Sequence, residues 1–200
     1  MSKPTGRPRG FDRDAALEQA LAEFWRHGYE ATSIAGLTQA MNIRPPSLYA
    51  AFGDKRKLFT EALEHYQRTH GAFTVRALAE EPTARQAIER LLREAAANYA
   101  DPAHPPGCLV ITATVNYGPE SAEVAAELRG MREAGKHAMA VRMKEDIGTG
   151  RLPADTDVEA LATFYAATVQ GMSAQARDGA TVDDLDQVAT LAMRAWPAPA

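Results

Sequence analysis

Two hundred residues, 46% of them apolar, suffice for one ordinary domain or for a small module joined to a larger one, and they exclude a disordered chain. The single cysteine, Cys108, excludes an internal disulfide framework and a multi-cysteine zinc site; the longest apolar stretch, Leu109 to Val115, is far short of the ~20 residues that cross a bilayer, so a cytoplasmic protein without a membrane partner is expected. The net charge of −4 is unevenly spread, with nine Lys and Arg against six acids in residues 1–60, a basic head of +3 on a body of −7, as suits a protein that sets one end on a polyanion.

Residues 1–10 place Pro4, Gly6, Pro8 and Gly10 among basic side chains without apolar periodicity and read as a flexible cationic arm. Asp12 caps a first helix whose Leu17, Ala20, Leu21 and Phe24 recur at helical spacing, and Gly28 supplies its left-handed stop. Ser33 caps a short second helix with Ile34, Leu37 and Met41 on one face, and Asn42, which tolerates positive φ, makes the turn after it. Pro45 and Pro46 mark the start of a third helix, because the N–H groups of a first turn have no intrahelical partner to lose. Leu48 and Phe52 of that helix face inward. Gly53 and Asp54 then stop and cap, and from Lys55 a longer helix carries the stripe Leu58, Phe59, Ala62, Leu63 and Tyr66 toward the body. Beyond Gly71, Ala-rich stretches alternate with Pro/Gly breaks and predict helices near 83–100, 107–117, 119–147, 155–178 and 182–196, with no strand-type alternation. The fold class is all-α.

Three short helices within 12–52, the second and third joined tightly, are the geometry of a helix-turn-helix head whose last helix enters the major groove. Gly28-Tyr29-Glu30-Ala31-Thr32-Ser33-Ile34, with Leu37, Ile43, Ser47-Leu48-Tyr49, Phe52-Gly53-Asp54-Lys55 and Leu58-Phe59, resembles the N-terminal domain of TetR-type (TetR/AcrR) transcriptional regulators across residues 11–60. The resemblance implies a homodimer of about nine helices per chain, arranged as a basic arm (1–10), a helix-turn-helix DNA-binding domain (11–55) and a helical effector-binding and dimerisation domain (56–200). It implies a repressor released from double-stranded operator DNA by a small-molecule effector. By the same resemblance the last two helices, with Leu161, Phe164, Val169, Leu185, Val188, Leu191 and Met193, form the dimer face.

Thr32 and Ser33 can offer hydroxyls and free N–H groups to a phosphate, or act as plain N-caps. Tyr49 can carry its hydroxyl to a phosphate, and Lys55 adds its charge to the dipole of the fourth helix. Arg44 is the candidate for reading guanine, and Pro45, Ser47 and Ala50 complete a helix poor in long hydrogen-bonding side chains, leaving thymine methyls and DNA shape to fill the gap. Arg44 departs from the family pattern, which favours a small capping residue there; so do Ala50 and Ala51, where larger polar residues are common. Gly6-Arg7-Pro8-Arg9 resembles an AT-hook core, with Arg7 and Arg9 suited to a narrow minor groove or serving only as a solubilising tail.

Cys108 follows His104-Pro105-Pro106-Gly107 and is expected in the first turn of a helix, where the dipole and His104 favour thiolate. Gly107-Cys108-Leu109-Val110 resembles a branch of TetR-type regulators, some of which sense electrophiles or oxidants through cysteine. A small buried hydrophobe is the other reading of the same residue. Phe73, Tyr99, Cys108, Asn116, Tyr117, Phe164 and Gln170 are the candidates for contacting the effector, against the alternative that such stripes are ordinary core. No phosphate loop, dinucleotide fingerprint, nucleophile elbow or zinc-protease motif occurs, and Glu61 and His65 at i, i+4 read as an ion pair, so no catalysis, cofactor or metal is expected.

Overall fold

The computed structural model describes residues 11–198, so Arg7 and Arg9 of the arm lie outside the described residues. Among those described there are ten α-helices, two single 3-10 turns and no strand. The head opens with α1 (Arg13–Ala31), where the Asp12 carboxylate accepts from the Asp14 and Ala15 N–H groups. Gly28 interrupts α1 at φ 78, ψ 170, as the left-handed stop requires. Ser33 caps α2 (Ile34–Ala40) through the Gly36 N–H at 3.0 Å, and Asn42 turns the chain with φ 52. Both prolines sit in the first turn of α3 (Pro45–Phe52), and Asp54 caps α4 (Lys55–Arg68) through the Lys57 N–H at 2.8 Å.

The stripes meet as their spacing demands. Phe24 packs edge-on against Phe59 with centroids 5.0 Å apart, and Leu21, Leu37, Leu48, Leu58 and Phe59 are fully buried. This core runs without a break into the body, through Trp25 and Tyr66 in edge-to-face contact at 4.9 Å.

In the body, α6 (Ala84–Tyr99) is the central rod, buried along Ile88, Leu91, Leu92, Ala95, Ala96 and Tyr99. It is surrounded by α5 (Ala72–Glu80), α8 (Ala122–Gly148), α9 (Val158–Arg177) and α10 (Val182–Ala192). Its N-terminus is pinned by the buried Asp146 of α8, whose Oδ2 accepts from the Ala84 N–H at 2.7 Å while Arg142 and Arg151 stand 3.7 Å from Oδ1. Two expectations are corrected here. The helix expected over 107–117 is one turn, α7 (Leu109–Thr112), because the Ala113 carbonyl is taken by the Tyr29 N–H at 2.9 Å and the chain then unwinds toward Gly118. α5 was not expected as a separate element; it buries only Phe73 and Ala77, too short a stripe to register as periodicity.

Candidate nucleic-acid interface

The α2–turn–α3 unit presents an open depression of about 880 Å³ lined by Phe11, Ala35, Gln39, Asn42, Arg44, Pro45, Ser47 and Ala50 among others. Arg44, Pro45, Tyr49 and Ala50 are exposed, Tyr49 at 51%, although the same helix buries Leu48 and Phe52. Among the described residues, Gln39, Asn42, Arg44, Ser47 and Tyr49 make no side-chain hydrogen bond, so their polar ends are unspent. Arg44 occupies the N-cap position of α3 without capping it, which leaves its guanidinium free to reach outward. Phe11, where the described chain begins, borders this depression.

Thr32 is the correction on this surface. It is 3% exposed and its hydroxyl donates to the Gly28 carbonyl at 2.6 Å, so it fastens the end of α1 instead of facing a phosphate. Ser33 remains exposed but spends its oxygen on the Gly36 N–H. Lys55 is half-buried. Its Nζ donates to the Glu30 carbonyl at 3.3 Å and stands 4.5 Å over the Tyr29 ring, while burial lowers its pKa, partly opposed by the Glu30 charge.

Three ties fasten the broken end of α1 to the body. The Tyr29 N–H donates to the Ala113 carbonyl, the Glu30 carboxylate accepts from the Gly118 N–H at 2.5 Å, and Arg177 of α9 donates to the Trp25 and Arg26 carbonyls at 3.3 and 3.4 Å. The Glu30 carboxyl is held below its ordinary pKa by that backbone hydrogen bond first and by Ser121 second. A fourth tie joins Arg56 of α4 to Glu127 of α8 at 2.6 Å.

The candidates for contacting an effector fall into three places rather than one pocket. Phe73, Tyr99 and Cys108 are together in the core, Phe73 and Tyr99 as an edge-to-face pair 6.0 Å apart. Asn116 and Tyr117 are exposed and line a cleft of about 810 Å³ between the end of α1 and the body, facing His27, Ile111 and Arg177. Phe164 and Gln170 lie exposed on the outer side of α9, apart from both groups. Of the residues expected on the dimer face, Phe164, Val188 and Leu191 are exposed, whereas Leu185 and Met193 are buried within the chain itself.

The thiolate expected at Cys108 is also corrected. Burial pushes the thiol pKa up, outweighing the Tyr66 hydroxyl and the Ile111 and Val110 N–H groups that favour the anion. Cys108 is the N-cap residue of α7, not within its first turn, and His104 is turned away to stack on Trp25 at 4.6 Å. Tyr66, which the sequence marks only as core, donates to Cys108 Sγ at 3.3 Å. Trp25 Nε1 and His104 Nε2 are buried in this neighbourhood without a hydrogen-bond partner among the described residues. Among the described residues no group of His, Cys, Asp and Glu is placed to hold a metal, and no helix is long and apolar enough to cross a membrane.

Comparison with known proteins bears on both halves. The family model described as bacterial regulatory proteins, tetR family, matches residues 16–62, and the one described as tetracyclin repressor-like, C-terminal domain, matches residues 84–192. The HTH-type transcriptional repressor ComR of Escherichia coli (strain K12) is 36% identical over 203 residues, spanning 98% of this chain and 94% of ComR. The HTH-type transcriptional repressor BdcR of the same organism is 29% identical over 192 residues, spanning 96% and 92%. A cysteine-substituted variant of the TetR family transcriptional regulator CifR, solved in complex with a 26-bp double-strand operator DNA, is 47% identical with a TM-score of 0.91, covering 96% of this chain and 100% of that one.

Proposed function

We propose, from the premise that this chain belongs to the TetR family of bacterial regulatory proteins, that it is a dimeric repressor that grips operator DNA with its helix-turn-helix head and releases it when an effector reaches the body. The chain is a transcriptional regulator and not an enzyme. One observation carries the DNA reading: Arg44 at the N-cap of α3 and Ser47 and Tyr49 within it make no side-chain hydrogen bond among the described residues, and Arg44 and Tyr49 are exposed, while the same helix buries Leu48 and Phe52. A helix so divided is anchored by one face and free to enter a groove with the other.

In this reading residues 11–55 form the DNA-binding head and 56–200 the effector and dimer domain, working in the cytoplasm where the operator is. Tyr49 and Ser33 contact phosphates, with Lys55 contributing charge from beside Tyr29; Arg44 reads a base with Pro45 and Ser47 alongside; Arg7 and Arg9 follow the minor groove. The outward side of α9 and α10, with Phe164, Val188 and Leu191, supplies the twofold contact that sets two heads on successive groove turns. The effector enters the core at Phe73, Tyr99 and Cys108. That site adjoins α7, whose last carbonyl partner holds the head through Tyr29, so a change at Cys108 has a short path to α1.

Footprinting the purified protein on DNA flanking its own gene tests the proposal. Paired protected half-sites about one helical turn apart are expected, and absence of any protected site would refute it. The Tyr66 contact favours a second reading, in which Cys108 itself is the sensor. Full thiol labelling of the native protein with undiminished DNA binding would eliminate that reading.

A further inference from the structure

The geometry points to Gln39 as a base-reading residue of the head, selecting an A·T pair whose thymine methyl rests on the apolar side chains of Ala35, Pro45 and Ala50 beside it. This rests on the DNA-binding reading above. Gln39 lies one turn beyond Ala35 on the same face of α2, and both line the depression that Arg44, Pro45, Ser47 and Ala50 of α3 close from the other side. Its neighbour Thr38 is turned inward, donating to the Ile34 and Ala35 carbonyls at 2.9 and 3.0 Å. Gln39 is thus the one exposed long polar side chain of α2, and its amide makes no hydrogen bond among the described residues.

The chemistry of the depression decides what it fits. Among the described residues Arg44 is the only charged side chain lining it, and Ala35, Pro45 and Ala50 line it with no side-chain donor or acceptor. Thymine C5-methyl is the apolar group on a base-pair edge in the major groove, and adenine N6/N7 on the same pair is the donor–acceptor pattern that a glutamine amide matches bidentately. One A·T pair therefore satisfies both the amide and the apolar side chains beside it. A phosphate would draw a cation instead, and Arg44 already stands there to serve it or a neighbouring guanine.

The test selects duplexes from a random library with the full-length wild-type protein and with Gln39→Ala and Gln39→Glu. The wild type is expected to enrich symmetric half-sites with an A·T pair at one fixed position. Gln39→Ala should lower that preference about tenfold or more and leave other positions alone, and Gln39→Glu should move it toward a pair presenting cytosine N4. Replacing the thymine of that pair by uracil in the selected duplex should weaken wild-type binding about fourfold, the worth of one buried methyl. A Gln39→Ala protein that selects the same sequences with the same preferences would overturn the assignment. So would one that binds every duplex equally more weakly with its sequence preferences intact, the mark of a phosphate contact. A wild-type protein that enriches no sequence would instead sink the DNA-binding reading itself.

Discussion

Gly28→Ala tests whether the end of α1 is the fixed point between head and body. At φ 78 and ψ 170, Gly28 holds a conformation reserved for glycine, and forcing an L-residue into it costs about 1–3 kcal/mol. The new Cβ would also stand 3.0 Å from the Ala113 carbonyl oxygen, which belongs to backbone and cannot swing aside as a side-chain tip could. That oxygen is held by the Tyr29 N–H at 2.9 Å, so retreat lengthens a hydrogen bond worth about 0.5–1.5 kcal/mol. The two effects together amount to roughly 2–4 kcal/mol, which for a chain of this length lowers Tm by roughly 4–16 °C. Thermal unfolding by circular dichroism measures it, at one protein concentration because dimer stability depends on concentration. Gly130→Ala is the control: Gly130 lies inside α8, and a Cβ there meets nothing within 4 Å. That substitution should leave Tm unchanged or raise it by a few degrees. A Gly28→Ala protein melting within about 1 °C of wild type would refute the reasoning, since the backbone cost of about 1–3 kcal/mol alone lowers Tm by at least about 2 °C.

Deleting residues 1–10 removes Lys3, Arg7 and Arg9 from each protomer and should flatten the dependence of log affinity on log salt by roughly 2–5, measured by fluorescence anisotropy; an unchanged slope takes the arm out of the interface. Tyr49→Phe should weaken binding roughly three- to tenfold on all sequences alike, and a changed sequence preference would contradict a phosphate role. Cys108 is raised above its ordinary value of 9.0 by burial, so the folded state keeps a proton that the unfolded thiol releases. Its contribution is therefore fully present below about pH 9 and lost as pH rises toward the folded value. Tm should begin to fall above about pH 9 in the wild type and only nearer pH 10 in Cys108→Ala, where the buried Tyr66 and Tyr99, also raised mainly by burial, take over. Identical alkaline profiles for the two proteins would remove Cys108 from that account.

The head was legible because each of its instructions is local. Asp12, Ser33 and Asp54 cap helices that begin within a residue of them, and Gly28, Asn42 and Gly53 take the positive φ values that end them. Apolar residues at helical spacing then have one way to meet. The body was less legible where a helix end depends on a distant group. Nothing near Ala113 in the chain announces that Tyr29 will claim its carbonyl, and nothing near Ala84 announces Asp146.

The same distinction separates the site residues that held their expected setting from those that did not. Tyr49 is exposed on α3 next to the buried Leu48 and Phe52 that seat the helix, and Arg44 is exposed at its N-cap. Thr32 and Cys108 were assigned by the chemistry their neighbours in sequence imply, a free helix start for one and a dipole with His104 for the other. The Thr32 hydroxyl is instead taken by the Gly28 carbonyl four residues back, and Cys108 finds its partner far along the chain, in Tyr66 of α4, while Trp25 of α1 stacks on His104. A side chain's exposure follows from periodicity, but its electrostatics follow from whatever the fold packs against it. Gln39 is illegible in the chain for a related reason. In the chain it is one polar residue of a short helix, and only α3 folded across from it makes that residue part of the lining of a depression shared with Ala35, Pro45 and Ala50.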